Sequence, residues 1–566
     1  MGKFGLILAI LALANLTALM AAKMDWWEDA SFYHIYPRSF KDSNGDGYGD
    51  INGITEKLEY LKEIGVTATW LSPVFKSPMV DMGYDISDFY DIDPLFGTMA
   101  DFDRLIKKAK KLGIKIILDF VPNHSSEECE WFKKSVNRED GFDDFYVWAD
   151  GKDDPKNPGK KLPPSNWESV FDGSMWTWND KREQFYLHQF YPQQPDFNLR
   201  NPQVHKVLLD VLKFWLDRGV HGFRIDAVPH MYEKVNDDGT YPDEPVKEDD
   251  PTKLKNIYTR DQYETVEILY EWREFLDAYR KEHGGDTRIL LAEAFSPINV
   301  LDQYFGNGTH FGVHLPFNFN IKDMPTPSDA KVLQTTVDKW MAVMWKNHKM
   351  ANWVASTHDG ARVTYRLGQE KKDLIQILIS ALPGASVNYY GEEIGMSNIG
   401  DDCSECPEFR FYGRSPFQWN DGISAGFSKS NSTWMPVADD YKTVNVKVER
   451  GIPRSSLNIY KGIQRLRRTP AFKAFKDAGG FLYGALNQQV FLIVRSTPRE
   501  EYRILLNMGN QTENVKAVRE TPDVKNYIYE YVLATEYSPR NIGDKVDARE
   551  ITLMPNEGVV LKKKFF

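Results

Sequence analysis

The sequence predicts an α/β fold: a (β/α)8 (TIM) barrel with a small domain B inserted after strand 3 and a C-terminal antiparallel β-sandwich. Three observations predict it. Short β-branched and aromatic runs alternate with longer amphipathic segments over most of the 566 residues, as in parallel strands covered on both faces by helices. The rhythm is interrupted over residues 125–195, which are rich in Trp, Asp, Asn, Pro and Gly. After residue 484 it gives way to alternating strands, "QQVFLIVRS", "EYRILLNMG" and "EGVVLKKK". A doubly wound sheet would usually carry a Gly-rich phosphate loop after its first strand, and none is present.

Taken in order, the chain opens with Lys3, an apolar run and small residues at Ala21 and Ala22, which predicts a cleaved signal peptide over 1–22. Asn15 and Thr17 inside the run weigh against a membrane anchor, although its length nearly suffices to span. The barrel is expected over 23–124 and 196–484, domain B over 125–195 and the sandwich, domain C, over 485–566. The eight strand candidates are 32–36, 68–71, 114–120, 222–227, 289–294, 315–319, 352–356 and 386–390. Between the fourth and fifth, Val266, Leu269, Trp272, Leu276 and Tyr279 recur at steps of three and four and form one helix face. The acidic, Pro-bearing stretch 234–262 is expected to be a long exposed loop.

Composition narrows the function. A hydrophobic content of 42% with 27% charged residues suits a globular protein. A net charge of −11 argues against a nucleic-acid partner, whose phosphates it would repel. The C-terminus lacks the hydrophobic tail of a lipid-anchor signal, so a secreted, extracellular protein without a stable membrane anchor is expected. Of 3 cysteines, Cys403 and Cys406 are expected to form a local loop disulfide, leaving Cys129 as a free thiol. Asn307, Asn431 and Asn510 begin N-glycosylation tripeptides. Asn123 also begins one, but it lies in the segment assigned to catalysis.

In a parallel barrel the C-terminal strand ends share one face. Reading them gives Asp119 and His124, Arg224 and Asp226, Glu293, then His358 and Asp359. Any one alone would more readily be a helix cap. Four carboxylates, two His and an Arg on one rim are costly unless chemistry uses them. Paired carboxylates suit glycoside cleavage, one attacking the anomeric carbon and the other protonating the leaving oxygen. On this reading Arg224 keeps Asp226 ionised, Glu293 has a raised pKa, and Asp359 with the histidines holds ring hydroxyls.

The motifs "DFVPNH", "GFRIDAVPH", "LLAEAFS" and "WVASTHD", in this order, resemble glycoside hydrolase family 13, the α-amylase family. With "QPDFN", "YPRSFKDSNGDGYGD", "VNYYGEEIGM" and "RSPFQW" the resemblance narrows to its α-glucosidase branch and is most like the insect maltases. It implies Asp226 as nucleophile, Glu293 as general acid/base and Asp359 as the third, transition-state-stabilising carboxylate. It implies that His124, Arg224 and His358 bind the non-reducing glucose, that Tyr84 stacks on it, and that Asp81 and Arg414 form a charge pair closing the pocket beyond it. Phe171 joins these substrate-binding residues. A closed end implies exo action on small oligosaccharides such as maltose, with sucrose also a substrate. Ala227 after the nucleophile implies α-1,4 bonds, where a valine goes with α-1,6. Thr357 departs from the family's Asn before the third acid and is expected to tune rather than abolish activity.

The loop "DSNGDGYGD" imitates an EF-hand start, but Gly53 occupies the twelfth position where Glu is required. It is similar instead to the family's first-loop site, which implies structural Ca2+ on Asp42, Asn44, Asp46, the Tyr48 carbonyl and Asp50. A plain Asx/Gly turn is the alternative. No organic cofactor is expected. The functional alternative is a non-catalytic relative, a transporter heavy chain or receptor, many of which lack the acids that are all present here.

Overall fold

Eight short strands form the centre of the molecule in the computed structural model, which describes residues 24–563 apart from 327, 348, 401–408, 474–479 and 520–525. They are β1 (Ser31–Ile35), β2 (Ala68–Leu71), β3 (Lys115–Phe120), β4 (Gly222–Ile225), β5 (Ile289–Ala292), β6 (Leu315–Pro316), β7 (Asn352–Val354) and β8 (Ala385–Tyr389). Their spatial order is β6-β5-β4-β3-β2-β1-β8-β7, and every pairing is parallel. Almost every strand residue is buried, as expected of strands filled from inside and covered from outside. The last pair, β6 and β7, shares no backbone ladder among the described residues. Side chains close the gap: Asn352 Nδ2 donates to Pro316 O at 2.7 Å, and Asn318 N donates to Asn352 Oδ1 at 2.9 Å.

The covering helices are α1 (Ile51–Ile64), α2 (Met99–Leu112), α3 (Pro202–Asp217), α4 (Tyr263–His283), α5 (Ile298–Tyr304), α6 (Ala330–Asn347), α7 (Lys372–Ala381) and α8 (Ser456–Leu466). Local chemistry sets their ends. Asp50 caps α1 by accepting from Gly53 N, and Thr98 with Asp101 forms a capping box on α2. The predicted face of α4 is the one that packs: Val266, Leu269, Trp272, Leu276 and Tyr279 are all buried. Gly222 lets β4 run against β5, since a Cβ there would meet Ile289 O at 2.2 Å.

Several strands end earlier than the sequence suggests. β4 stops at Ile225, β5 at Ala292 and β7 at Val354, so Asp226, Glu293 and Asp359 lie just past the strand ends. The acids are thereby released from the ladder to face the rim. Between β3 and α3 the chain makes a small antiparallel sheet of Trp148–Ala149, Gln184–Leu187 and Trp176–Asn179. Its return is pinned beside β3 by the His124–Asp196 and Tyr146–Phe197 bridges. The C-terminal sheet holds β9 (Phe481–Ala485), β10 (Val490–Thr497), β11 (Glu500–Asn507), β12 (Ile528–Ala534) and β13 (Gly558–Lys563), ordered β9-β10-β11-β13-β12, with the short strand Lys545–Asp547 at the edge beyond β12, all antiparallel. A two-stranded piece, Glu513–Val515 with Ile551–Leu553, accompanies it. No helix among the described residues is long and apolar enough to cross a membrane. The expected signal peptide lies outside the described residues.

Candidate active site

The floor of the site is a single guanidinium holding several carboxylates. Arg224, on β4, reaches Asp119 at the end of β3 (2.9 Å), Asp226 (2.5 Å) and Glu293 (2.8 Å). Asp226 and Asp119 share Nη1, whereas Glu293 Oε2 takes Nη2. Trp70 Nε1 and the Tyr84 hydroxyl donate to Asp119 Oδ2, each at 3.1 Å. Ala227 N donates to Glu293 Oε2 at 3.1 Å. Asp226 therefore engages Arg224 through Oδ1, and Glu293 engages its donors through Oε2.

Three carboxylates on one cation leave an excess of negative charge in a buried place. Burial, against the pull of Arg224, lifts Asp119 to about 6. Burial also pushes Asp226 well above the usual carboxylate range; Arg224 pulls it down, while Glu293, Asp119 and Asp359 push it up. The sequence leads one to expect Arg224 to keep Asp226 ionised; in the structure that pull is opposed by burial and by three neighbouring carboxylates.

Behind the third acid, Arg414 Nη2 contacts Asp359 Oδ1 at 2.8 Å and its Nε donates to the His358 carbonyl at 2.8 Å. His358 Nε2 lies 2.8 Å from the Tyr84 hydroxyl and 3.1 Å from Asp359 Oδ2. Burial, with the positive charges of Arg414 and Arg224, holds His358 well below its ordinary pKa, so it is neutral. The His358 and Tyr84 rings lie parallel, 5.4 Å apart. Burial likewise lowers His124 to about 3.

These groups line a pocket of about 270 Å3 that contains Asp81, Tyr84, His124, Phe171, Asp226, Glu293, His358 and Asp359. Arg224 and Arg414, expected to touch substrate, are absent from the lining; each stands behind carboxylates that do line it. The expected Asp81–Arg414 pair is replaced. Arg410 reaches Asp81 Oδ1 at 2.9 Å, while Gln194 Nε2 donates to Asp81 Oδ2 at 3.1 Å. The cause is depth: Arg414 is 1% exposed and turned inward beneath Asp359, too deep for the rim. Arg410, one turn earlier, lies over the Phe171 ring at 4.7 Å and closes that end. Burial raises Asp81 to about 6, with Arg410 and Arg414 opposing. Arg410, Gln194, Phe190, His230, Arg260 and Phe295 were not read from sequence as site residues. A second arginine four positions before Arg414 was the available signal for the first of them.

The proposed metal loop is tied by its own bonds. Asp42 accepts from Gly45 N at 2.6 Å and Gly47 N at 2.9 Å, and Asp46 accepts from Tyr48 N at 2.8 Å. Asp50 accepts from Ser43 N and Gly53 N. The donor set is hard oxygen, the kind Ca2+ takes, and each carboxylate retains lone pairs. Among the described residues, however, no three acidic, His or Cys side chains converge into a ready cage. Cys403 and Cys406 lie outside the described residues, and Cys129 is free and buried. Asn307, Asn431 and Asn510 are exposed, whereas Asn123 is buried.

Residues 34–474 match the model of the α-amylase catalytic domain. The chain is 57% identical over 563 residues to Maltase A2 of Drosophila melanogaster, covering 98% of each chain. It is 45% identical to Maltase A1 of the same organism, again over 98% of each. Among solved structures, an α-glucosyl transfer enzyme, XgtA, superposes with a TM-score of 0.81 at 30% identity, covering 96% of this chain and 100% of that one. With its acids at the rim of a parallel barrel and a domain match of this extent, the chain belongs to the α-amylase family, glycoside hydrolase family 13.

Proposed function

We propose that this protein is a secreted, exo-acting, retaining α-glucosidase that releases terminal non-reducing glucose from α-1,4-linked maltose and short oligosaccharides, and also cleaves sucrose. The observation that carries the reading is the shared Arg224: one guanidinium draws Asp226 and Glu293 together. That favours the close spacing of retaining enzymes, about 5 Å, over the roughly 6.5–9.5 Å of inverting ones. The reported maltases lend the substrate class.

In the first displacement Asp226 Oδ2, the oxygen not engaged by Arg224, attacks the anomeric carbon. The glycosidic bond breaks, and its oxygen takes a proton from Glu293, whose Oε1 is the oxygen free of N–H donors. In the second, Glu293 takes a proton from water, the hydroxide attacks the anomeric carbon, and the bond to Asp226 breaks to release glucose. Asp359, fixed by Arg414, holds ring hydroxyls as positive charge develops on the sugar. The Asp81–Arg410 pair ends the pocket beyond one ring and so favours cleavage of a terminal unit.

The test is glucose release from maltose by the purified protein beside Asp226→Ala. The variant is expected to lose at least about ten-thousandfold in kcat, as loss of a nucleophile does. Proton NMR of the first product should show α-glucose; β-glucose would refute retention. A folded wild type inert on maltose, isomaltose and sucrose would turn the reading toward the heavy-chain or receptor alternative. Maltose should be turned over faster than isomaltose, because Ala227 leaves the leaving-group side open. Secretion is checked by expression in insect cells, with N-terminal sequencing of protein from the medium. Structural Ca2+ in the 42–50 loop is part of the same proposal.

A further inference from the structure

Resting on the α-glucosidase reading, we infer that Arg260 is the specificity-determining residue for the leaving sugar, recognising an uncharged, hydroxyl-bearing ring and selecting di- and oligosaccharides over glucosides with a flat apolar leaving group. Arg260 lines the pocket together with Ala227, Pro229, His230 and Phe295. Ala227 N donates to Glu293 Oε2, and Phe295 follows Glu293 by two residues, so these residues stand beside the acid that protonates the leaving oxygen, where the group cleaved from glucose must leave.

The guanidinium is placed but not neutralised. Its Nη2 donates to the Phe295 carbonyl at 2.9 Å. Its Nε is buried without a partner, and among the described residues no carboxylate forms an ion pair with it. The adjacent Asp261 carboxylate is engaged elsewhere, accepting from the Ser296 hydroxyl at 2.5 Å and the Tyr304 hydroxyl at 3.3 Å. The Nη1 group makes no hydrogen bond among the described residues, and a partly buried cation with that end free beside a substrate pocket is suited to bind acceptor oxygens. Sugar hydroxyls supply them. An anionic leaving group is disfavoured by Asp226, Glu293 and Asp359 in the same pocket.

The mount is stiff despite being part of a long loop. Glu244, 3% exposed, accepts from the backbone N–H groups of Ile257 (2.9 Å), Tyr258 (2.5 Å) and Thr259 (3.1 Å). Gln262 Nε2 donates to the Arg260 carbonyl at 2.7 Å. Asp261, at φ 55°, donates its N–H to the Pro229 carbonyl at 2.8 Å, tying the loop to the segment just past the nucleophile. On the other side Trp167 Nε1 donates to Pro242 O at 2.8 Å and Asn166 Nδ2 to Glu244 O at 3.0 Å. An acidic loop of this length, pinned at both flanks, presents one arginine at a fixed position.

The experiment compares wild type, Arg260→Ala and Arg260→Lys on maltose and on p-nitrophenyl α-D-glucopyranoside, resolving kcat and KM. Loss of one charge-assisted hydrogen bond corresponds to roughly a tenfold to hundredfold fall. The Ala variant should lose that much more kcat/KM on maltose than on the aryl glucoside, and Lys should restore part of it. An equal fall on both substrates means that Arg260 acts only by bracing Phe295, and overturns the inference, as does no fall on either. A wild type that prefers a disaccharide phosphorylated on the leaving sugar also overturns it. A wild type inert on both substrates instead refutes the α-glucosidase reading itself, so the two failures are distinguishable.

Discussion

On the proposed mechanism Asp226 has to be ionised to attack, yet its surroundings push its pKa up. Burial raises its pKa, Arg224 opposes, and Glu293, Asp119 and Asp359 add to the rise. The acid limb of kcat/KM should therefore lie above the ordinary aspartate value of 3.8. Asp119→Asn removes one like charge and frees part of Arg224, so the limb should move to lower pH; a limb that stays in place would remove Asp119 from the control of the nucleophile. At the next residue, Ala227→Val should raise the isomaltose-to-maltose rate ratio. It should also cost stability, because Ala227 has φ 50°, a region β-branched residues rarely adopt. Asp226, Glu293 and Asp359 were legible in the sequence because a parallel barrel delivers all strand ends to one rim. Arg410 was not. Its role depends on which of two arginines four residues apart points inward, and that is decided by packing beneath Asp359.

At the scale of elements, the 42–50 loop and α1 form one unit, because Asp50 both closes the loop through Ser43 and caps the helix through Gly53. Removing Ca2+ with a chelator should lower the melting temperature, and Asp46→Ala should abolish that sensitivity while leaving the α1 cap intact. A chelator without effect on the wild type means that the loop stands on its own amide bonds. Asp50→Ala should cost about 1 kcal/mol from the lost cap alone, seen in denaturant unfolding. The α4 face and the order of strands could be read from periodicity, since the helix period and burial follow directly from residue spacing. The bracing of 234–262 could not. Composition marks this stretch as exposed loop, while its one buried carboxylate, Glu244, organises backbone amides that carry no sequence signature of their own.

Across the whole molecule, buried carboxyls away from the pocket add to the pH response of stability. Burial lifts Glu449 to about 8, Glu392 to about 7 and Asp373 to about 6. Each folded-state carboxyl holds its proton more tightly than the unfolded chain does. Its contribution is thus complete below the ordinary values of 4.5 and 3.8 and is lost as pH rises through about 6 to 8. The melting temperature should fall over that window, and Glu449→Gln, which cannot ionise, should flatten the upper part of the fall. An unchanged slope in that variant would assign the response to the other buried carboxyls, Glu392, Asp373, Asp81 and Asp119 among them. Glu449 accepts from Leu457 N near the start of α8, so the protonation state of one residue bears on how α8 packs against α7.

The Asn318–Asn352 clasp between β6 and β7 has a mechanical meaning. A cylinder zipped by backbone on seven joints and fastened by side chains on the eighth has a designated place to come undone. Under load or mild denaturant the wall should part there first, unrolling into a curled sheet while the other joints hold. Because β7 runs directly into His358 and Asp359, catalysis should fail at that parting while most of the barrel is still intact. Asn352→Ala would bring that failure forward, and hydrogen exchange at Trp353 and Val354 would outpace exchange in β2 and β3.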